Sequence, residues 1–381
     1  MGIKNLTKLI RERDPSVFKT AKMDFFKGKK FAVDISIYIN KYVNSSREEW
    51  INLMTYFLMN LRYNDITVVI IFDGKHVPEE KTMERESRKT GRENLSNRCD
   101  RMEVLYDKIM TRFIDDSGNT RLVDQHTQDE FKKMFARSKI DPDINHEDPE
   151  ELAMVLKEKL EKARLNAEGV SSVHKEITRE LVKAMGFSYI EAHGEAEALC
   201  SSLAFHGFVD GVISTDSDCF TYGTPLLIRD IKGGMWDYME LKDVLTALEV
   251  DMNMFIDLCI ALGCDYNKNM AGVGMKRAYQ GILKYGSLET WEKQEPTKPF
   301  QTLRYHRCHE IFKPYSKKYV AKCKIKEPVD ADIDKLDRIF TKTESKYTGD
   351  YILSVQKGED KPRLIKTTYA VREEPDLLDD M

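Results

Sequence analysis

No stretch of this 381-residue chain comes near 18 consecutive apolar residues, and its opening Met1-Gly2-Ile3-Lys4-Asn5-Leu6-Thr7 lacks the apolar core of a secretory signal. A membrane protein is excluded on this reading, and an intracellular one is expected. Myristoylation is set aside too, because Leu6 stands where the motif needs Ser or Thr. Cysteine is sparse and odd in number, seven in all with no Cys-x-x-Cys pair, which excludes a disulfide framework and a zinc site. There is no internal repeat. Nor is there a surplus of positive charge: 60 Lys and Arg face 64 Asp and Glu, and a net −4 argues against nucleic-acid binding by charge over the whole molecule.

What the chain does have is a set of acids beside apolar sequence: Asp34, Asp73, Glu195, Glu197, Asp216, Asp218 and Asp265. Carboxylates gathered at strand ends and helix starts repel one another unless divalent metal sits among them. Without these seven the remaining charge is net positive. Basic residues also concentrate locally, with Lys81, Arg85, Arg88, Lys89, Arg92, Arg98 and Arg101 close together, so a local patch can hold nucleic acid where global charge cannot.

The predicted elements explain how such acids meet. Residues 30–39 and 66–72 read as buried strands, with a helix over 48–61 between them, which makes a βαβ unit and a parallel sheet. Short strands follow at 187–191, 211–215 and 226–230, with a helix over 195–205. A charge-rich, mainly helical insertion from 78 to 184 splits this α/β core. Within it, Asp148-Pro149-Glu150-Glu151 is a strong helix start, and 115–128 reads as a mobile loop. Residues 241–284 read as helical with a break at Gly272-Val273-Gly274, and the tail 373–381 as disordered. The expected parts are 1–80 and 185–290 for the core, 81–184 for the insertion and 291–381 for a C-terminal helical region.

In a doubly wound sheet, ligands gather at the carboxyl ends of strands, which brings Asp34, Asp73 and Asp216 together. Glu195 and Glu197 converge if Glu195 precedes the first helical turn, and a helix N-terminus favours carboxylates. Asp216 and Asp218 share a face on leaving a strand. Seven carboxylates exceed what one Mg²⁺ needs. Two ions about 3.5–4 Å apart absorb that charge, one activating water and the other stabilising the leaving oxygen in an in-line attack on phosphorus. The Gly272-Val273-Gly274-Met275-Lys276-Arg277 stretch can expose backbone N–H groups and a positive helix end to a phosphate, although a plain helix connection has the same pattern.

Met1-Gly2-Ile3, Val33-Asp34, Phe72-Asp73-Gly74-Lys75, Glu195-Ala196-Glu197-Ala198, Thr215-Asp216-Ser217-Asp218, Gly263-Cys264-Asp265-Tyr266 and Gly272-Val273-Gly274-Met275-Lys276-Arg277-Ala278 occur in an order that resembles the flap endonuclease/XPG family of structure-specific 5′-nucleases. The likeness spans roughly residues 1–285, apart from the insertion. It implies a PIN-like, mostly parallel sheet flanked by helices, with a helical arch and a helix-hairpin DNA-binding region. It assigns Asp34, Asp73, Glu195 and Glu197 to one Mg²⁺ and Asp216, Asp218 and Asp265 to the other, with Mn²⁺ as a substitute. By the same resemblance, Lys81 and Arg88 are the arch pair facing the scissile phosphate, with Arg85 as a competitor. Gly2, Gly272, Gly274, Lys276 and Arg277 are placed near DNA.

The chain also departs from the family. The segment between Asp34 and Asp73 is short. The base-stacking tyrosine falls at Asn40, leaving Tyr38 and Tyr42 as stacking candidates against a buried helix position. A serine that helps hold K⁺ at the hairpin falls at Asn269. With no clamp-binding motif, sliding-clamp recruitment is not expected. The resemblance implies a monomer acting on branched or flapped DNA, in the nucleus foremost. A 5′→3′ exonuclease of the same superfamily stays open as an alternative, as do a silent DNA-binding scaffold and an RNA-cutting PIN-like nuclease, both less favoured.

Overall fold

The computed structural model describes residues 2–76, 78–114, 119–136, 140, 144–232 and 235–365. Seven strands form one sheet: β1 Lys19–Lys22, β2 Lys30–Asp34, β3 Thr67–Phe72, β4 Ser188–Glu191, β5 Gly211–Ile213, β6 Leu226–Lys232 and β7 Met235–Glu240. Their order is β1-β7-β6-β5-β2-β3-β4. The five from β2 to β6 run parallel, and β7 and β1 add an antiparallel edge. From β2 the chain winds outward through β3 and β4, then returns to the other side of β2 through β5 and β6. The reversal lies between β2 and β5, where α/β sheets open a crevice at their carboxyl ends.

β2 is shorter than its apolar run suggests. It ends at Asp34, and Ile35–Ser45 is a helix, not the rest of a strand. The Asp34 carboxylate accepts the Ser36 N–H at 3.0 Å, which starts the helix, and Ile35, Tyr38, Ile39 and Val43 are then buried at helical spacing. Alternation and helical spacing are hard to separate in so short an apolar run. The second crossover helix, Trp50–Tyr63, buries Met54, Leu58 and Leu61.

The antiparallel strands β1 and β7 have no counterpart in the predicted elements. Lys-Thr-Ala-Lys and Met-Trp-Asp-Tyr-Met-Glu are too polar to stand out, and pairing with each other and with β6 makes them strands. Residues 119–124 are irregular, but a helix Gln125–Met134 begins where a loop is expected, because Asp124 caps it through the Thr127 N–H at 2.7 Å. The rest of that expected loop, 115–118, and the acidic tail 373–381 lie outside the described residues. Among the described residues no helix is long and apolar enough to cross a membrane.

Two compact units emerge. The larger comprises residues 1–42, 48–84 and 172–381, and the smaller 43–47 and 85–171. The smaller unit contains most of the 32-residue helix Thr82–Phe113 and the helix Pro149–Glu168, whose start at Asp148 and Pro149 is as predicted. Its core gathers Met102, Leu105, Ile109, Phe131, Leu152 and Leu156. In the larger unit the helices Met252–Leu262 and Met275–Tyr285 flank the Gly272 hairpin.

Gly281, inside the second of these helices, lies where an added Cβ would enter the Trp291 ring. Glycine to alanine in a helix ordinarily gains about 1 kcal/mol, whereas overpacking costs about 1–3 kcal/mol. Gly281→Ala is expected to lower stability despite its better helix propensity, read as a fall in the urea midpoint at unchanged m.

Candidate metal centre

Each acid is delivered by a recognisable piece of backbone. Asp34 ends β2, and Asp73 follows β3. Glu195 is the extended residue just before the helix Ala196–Phe205, with Glu197 in its first turn, so the two carboxylates need not diverge. Asp216 caps the short 3₁₀ turn Ser217–Tyr222 by accepting the Asp218 N–H at 3.1 Å, and Asp218 lies within that turn. Asp265 follows the helix Met252–Leu262.

The seven converge as a connected cluster. Ligand oxygens of Glu197, Asp216 and Asp218 all lie within 4.8 Å of one another, and all three residues are buried. Asp34 is raised well above the ordinary carboxylate range by burial and then by the charges of Asp73 and Asp216. Burial likewise raises Glu197, with Asp216 and Asp218 adding to it, and Asp218, with Asp216 and Asp265 adding to it. Asp216 is raised by burial, against which its bond from the Asp218 N–H works. Glu197 Oε1 and Asp218 Oδ1 are buried with no hydrogen-bond partner.

Polar neighbours fix the remaining oxygens. Asp73 accepts from the Ser36 hydroxyl at 2.6 Å and from the Ala196 N–H at 3.0 Å, which ties β3 to the helix bearing Glu197. The Tyr266 hydroxyl donates to Glu195 and lies 3.2 Å from the Tyr222 hydroxyl. Ser36 and Tyr266 belong to the centre although neither stands out as a ligand; the sequence signal is only their closeness to Asp34 and Asp265.

Lys81 ends the short turn Glu79–Lys81 in the larger unit, and its ammonium pairs with Glu195 and, at 3.6 Å, with Asp265. Burial disfavours the lysine charge, but Glu195, Glu197 and Asp265 outweigh it and raise its pKa. Lys81 is thus a counter-ion to part of the acidic cluster. Arg85 and Arg88 are exposed on the helix Thr82–Phe113, in the smaller unit.

Gly2 packs on the acidic turn so closely that a Cβ there would strike Asp216 Oδ1, and Asp218 Oδ1 would be 2.9 Å away. Gly272, Gly274, Lys276 and Arg277 are all exposed, with Gly272 at φ +73° and the Arg277 guanidinium donating to the Gly272 carbonyl at 3.1 Å. Gly274 supplies no side-chain cap to the helix Met275–Tyr285, so the amides of its first turn are left for another acceptor. Tyr38 is different: it is 2% exposed and stacked on Phe57 at 4.3 Å, which leaves it a core residue and not a surface for a base. Tyr42, half-buried, lies 6.1 Å from Tyr38.

The donor set fits hard divalent cations. Its oxygens are all carboxylate, those of Glu197, Asp216 and Asp218 lie within 4.8 Å of one another, and two are buried without partners, a costly state that a cation would relieve. The sign of the pH dependence follows. Carboxyls whose folded pKa lies above the unfolded value contribute stability below about pH 4, which is lost as pH rises through their folded values. In EDTA the melting temperature is expected to fall as pH rises above the ordinary 3.8 of Asp and 4.5 of Glu, and millimolar Mg²⁺ or Mn²⁺ to restore it. Asp218→Asn should raise the metal-free melting temperature at pH 8 while shrinking the shift on adding metal. A metal-independent melting temperature in the unsubstituted protein would contradict the assignment.

The family model of the XPG N-terminal domain matches residues 1–95, and that of the XPG I-region matches residues 186–265. Together these segments carry all seven acids, the second ending on Asp265. The chain is 30% identical over 308 residues to flap endonuclease 1 of Brugia malayi, covering 76% of this chain and 68% of that protein. It is 28% identical over 306 residues to flap endonuclease 1 of Enterocytozoon bieneusi (strain H348), covering 76% and 72%. A RAD2-like endonuclease of Invertebrate iridescent virus 6 is 26% identical over 351 residues, covering 84% and 81%. Among solved structures, the catalytic core of Rad2 in complex with DNA substrate gives a TM-score of 0.57 at 19% identity, covering 93% of this chain and 100% of that one. The flap endonuclease-1 of Methanococcus jannaschii gives 0.53 at 21%, covering 89% and 95%. The fold, the ordered acids and these relatives agree: the chain belongs to the flap endonuclease/XPG family of structure-specific nucleases.

Proposed function

We propose that this protein hydrolyses phosphodiester bonds of branched DNA, 5′ flaps foremost, during replication, repair or recombination, with two Mg²⁺ ions held by its seven carboxylates. The observation that carries this reading is the convergence of Glu197, Asp216 and Asp218 at the sheet's carboxyl edge, with buried oxygens that lack partners. Asp34, Asp73, Glu195 and Glu197 would hold one ion and Asp216, Asp218 and Asp265 the other, with Glu197 within 4.8 Å of Asp216 and Asp218. When bound, such a pair of cations supplies an activated water and takes up charge on the phosphoryl and leaving oxygens.

The chain's own residues do the rest. The Ser36 and Tyr266 hydroxyls and the Ala196 amide hold Asp73 and Glu195 in orientation before substrate arrives. The Lys81 ammonium, beside Glu195 and Asp265, supplies positive charge that would stabilise a phosphoryl oxygen on which charge develops. Arg85 and Arg88, exposed on the helix Thr82–Phe113, add positive charge for a nucleic-acid backbone. The Gly272 hairpin presents backbone amides and a positive helix end to a duplex phosphate, with Lys276 and Arg277 adding charge. Gly2, against the Asp216–Asp218 turn, lies beside the bound strand. The protein acts as a monomer in the nucleus.

End-labelled single-flap, double-flap, nicked and recessed-end duplexes test this reading. Flap cleavage near the junction is expected with Mg²⁺ and none with EDTA; activity surviving EDTA defeats the mechanism, and preference for a recessed 5′ end selects the exonuclease alternative. Asp216→Asn should abolish cleavage and retain DNA binding. Lys81→Ala should slow single-turnover cleavage by roughly 10²–10³-fold, the loss typical of one preorganised charge at the reacting group. Lys276→Ala is expected to weaken binding about equally across DNA sequences and to reduce the slope of log K against log salt by about 1.

A further inference from the structure

We infer that a cavity beside the acidic cluster, lined by Lys75, His76, Pro78, Glu79, Glu80, His193 and Arg307, takes one nucleotide of the strand being cut, its base lying on a stacked pair of imidazoles. The inference rests on the nuclease reading above. The cavity measures about 570 Å³, within the roughly 300–1,000 Å³ of small-ligand pockets. The His76 and His193 rings stack at 4.3 Å with 22° between their planes, and both residues are exposed. Core packing therefore does not account for them.

Backbone, not chance rotamers, brings them together. Beyond β3 and β4 the two loops stay tied, with Ala192 N–H donating to Phe72 O at 2.9 Å, Gly74 N–H to Gly194 O at 2.7 Å and His76 N–H to His193 O at 3.1 Å. The approach is close enough to require glycine twice. A Cβ on Gly74 would enter the carbonyls of Ala192 and His193, and one on Gly194 would come within 2.8 Å of the His76 carbonyl. The same two loops carry Asp73 and Glu195, so the imidazole pair is fixed relative to the metal centre.

The charges decide what the cavity recognises. Lys75 and Arg307 are opposed by Glu79 and Glu80, and Arg307 is already engaged by Glu80 at 2.7 Å and Glu310 at 3.0 Å. Walls so balanced do not select a free anion. An aromatic ledge with one exposed lysine beside it suits a nucleotide within a strand, its base stacked on histidine and its phosphate met by Lys75.

The test uses 5′-flap duplexes with a single abasic residue placed in turn at each position flanking the cleavage point, binding being read by fluorescence anisotropy in EDTA at one fixed pH. For the unsubstituted protein, one abasic position should weaken binding by about 5- to 150-fold, the range for losing one stacked base. His76→Ala/His193→Ala should bind the intact flap equally weakly and lose its sensitivity to that position. His76→Phe/His193→Phe should recover both. The inference is overturned if the alanine variant, melting like the parent, binds every substrate as the parent does, or if it keeps the parent's sensitivity at each abasic position. Because this readout needs no cleavage, a failure to cut the intact flap in Mg²⁺ defeats the nuclease reading separately.

Discussion

Repulsion among buried carboxylates is the constraint around which the larger unit is arranged. Asp34, Glu197, Asp216 and Asp218 are held where burial alone disfavours their charge, and the neighbouring acids make this worse. A free chain would not adopt this arrangement for those side chains' sake. It is imposed by elements whose stability comes from elsewhere: the apolar strands β2, β3 and β5, and the helix Ala196–Phe205 packed on them. The fold thus stores an electrostatic cost that divalent cations relieve, and ligand-site strain of this kind accompanies function in other proteins.

Two devices keep the cluster from relaxing apart. Some oxygens are satisfied in place, as where Ser36 and Ala196 bind Asp73 and Tyr266 binds Glu195. Others are opposed by a positive charge, the Lys81 ammonium, paired with Glu195 and Asp265. The first device preorganises ligands. The second opposes part of the cluster's charge with a lysine in the turn that precedes the helix Thr82–Phe113.

Much of this was legible beforehand because it depends on local sequence. β-branched runs mark β2 and β3, Asp-Pro-Glu-Glu marks the helix at Pro149, and the acids stand at the element ends where they were expected. The misses have physical causes. The helix after Asp34 was read as strand because an apolar run of ten residues satisfies both periods. β1 and β7 carry no strand pattern of their own, because pairing with each other and with β6 makes them strands. Tyr38 was a candidate for stacking a base, but Phe57 from the next helix covers its ring.

The sequence by itself determined the chemistry available, with seven carboxylates in family order and a glycine hairpin with a basic helix. It also determined the family, since ordered motifs survive where overall identity is low. Only the tertiary structure decided that Glu197 meets Asp216 and Asp218, that Lys81 balances Glu195 and Asp265, and that His76 lies on His193. Each of these contacts joins residues far apart in the chain, and their distances are set by sheet order and loop pairing, which no local pattern encodes.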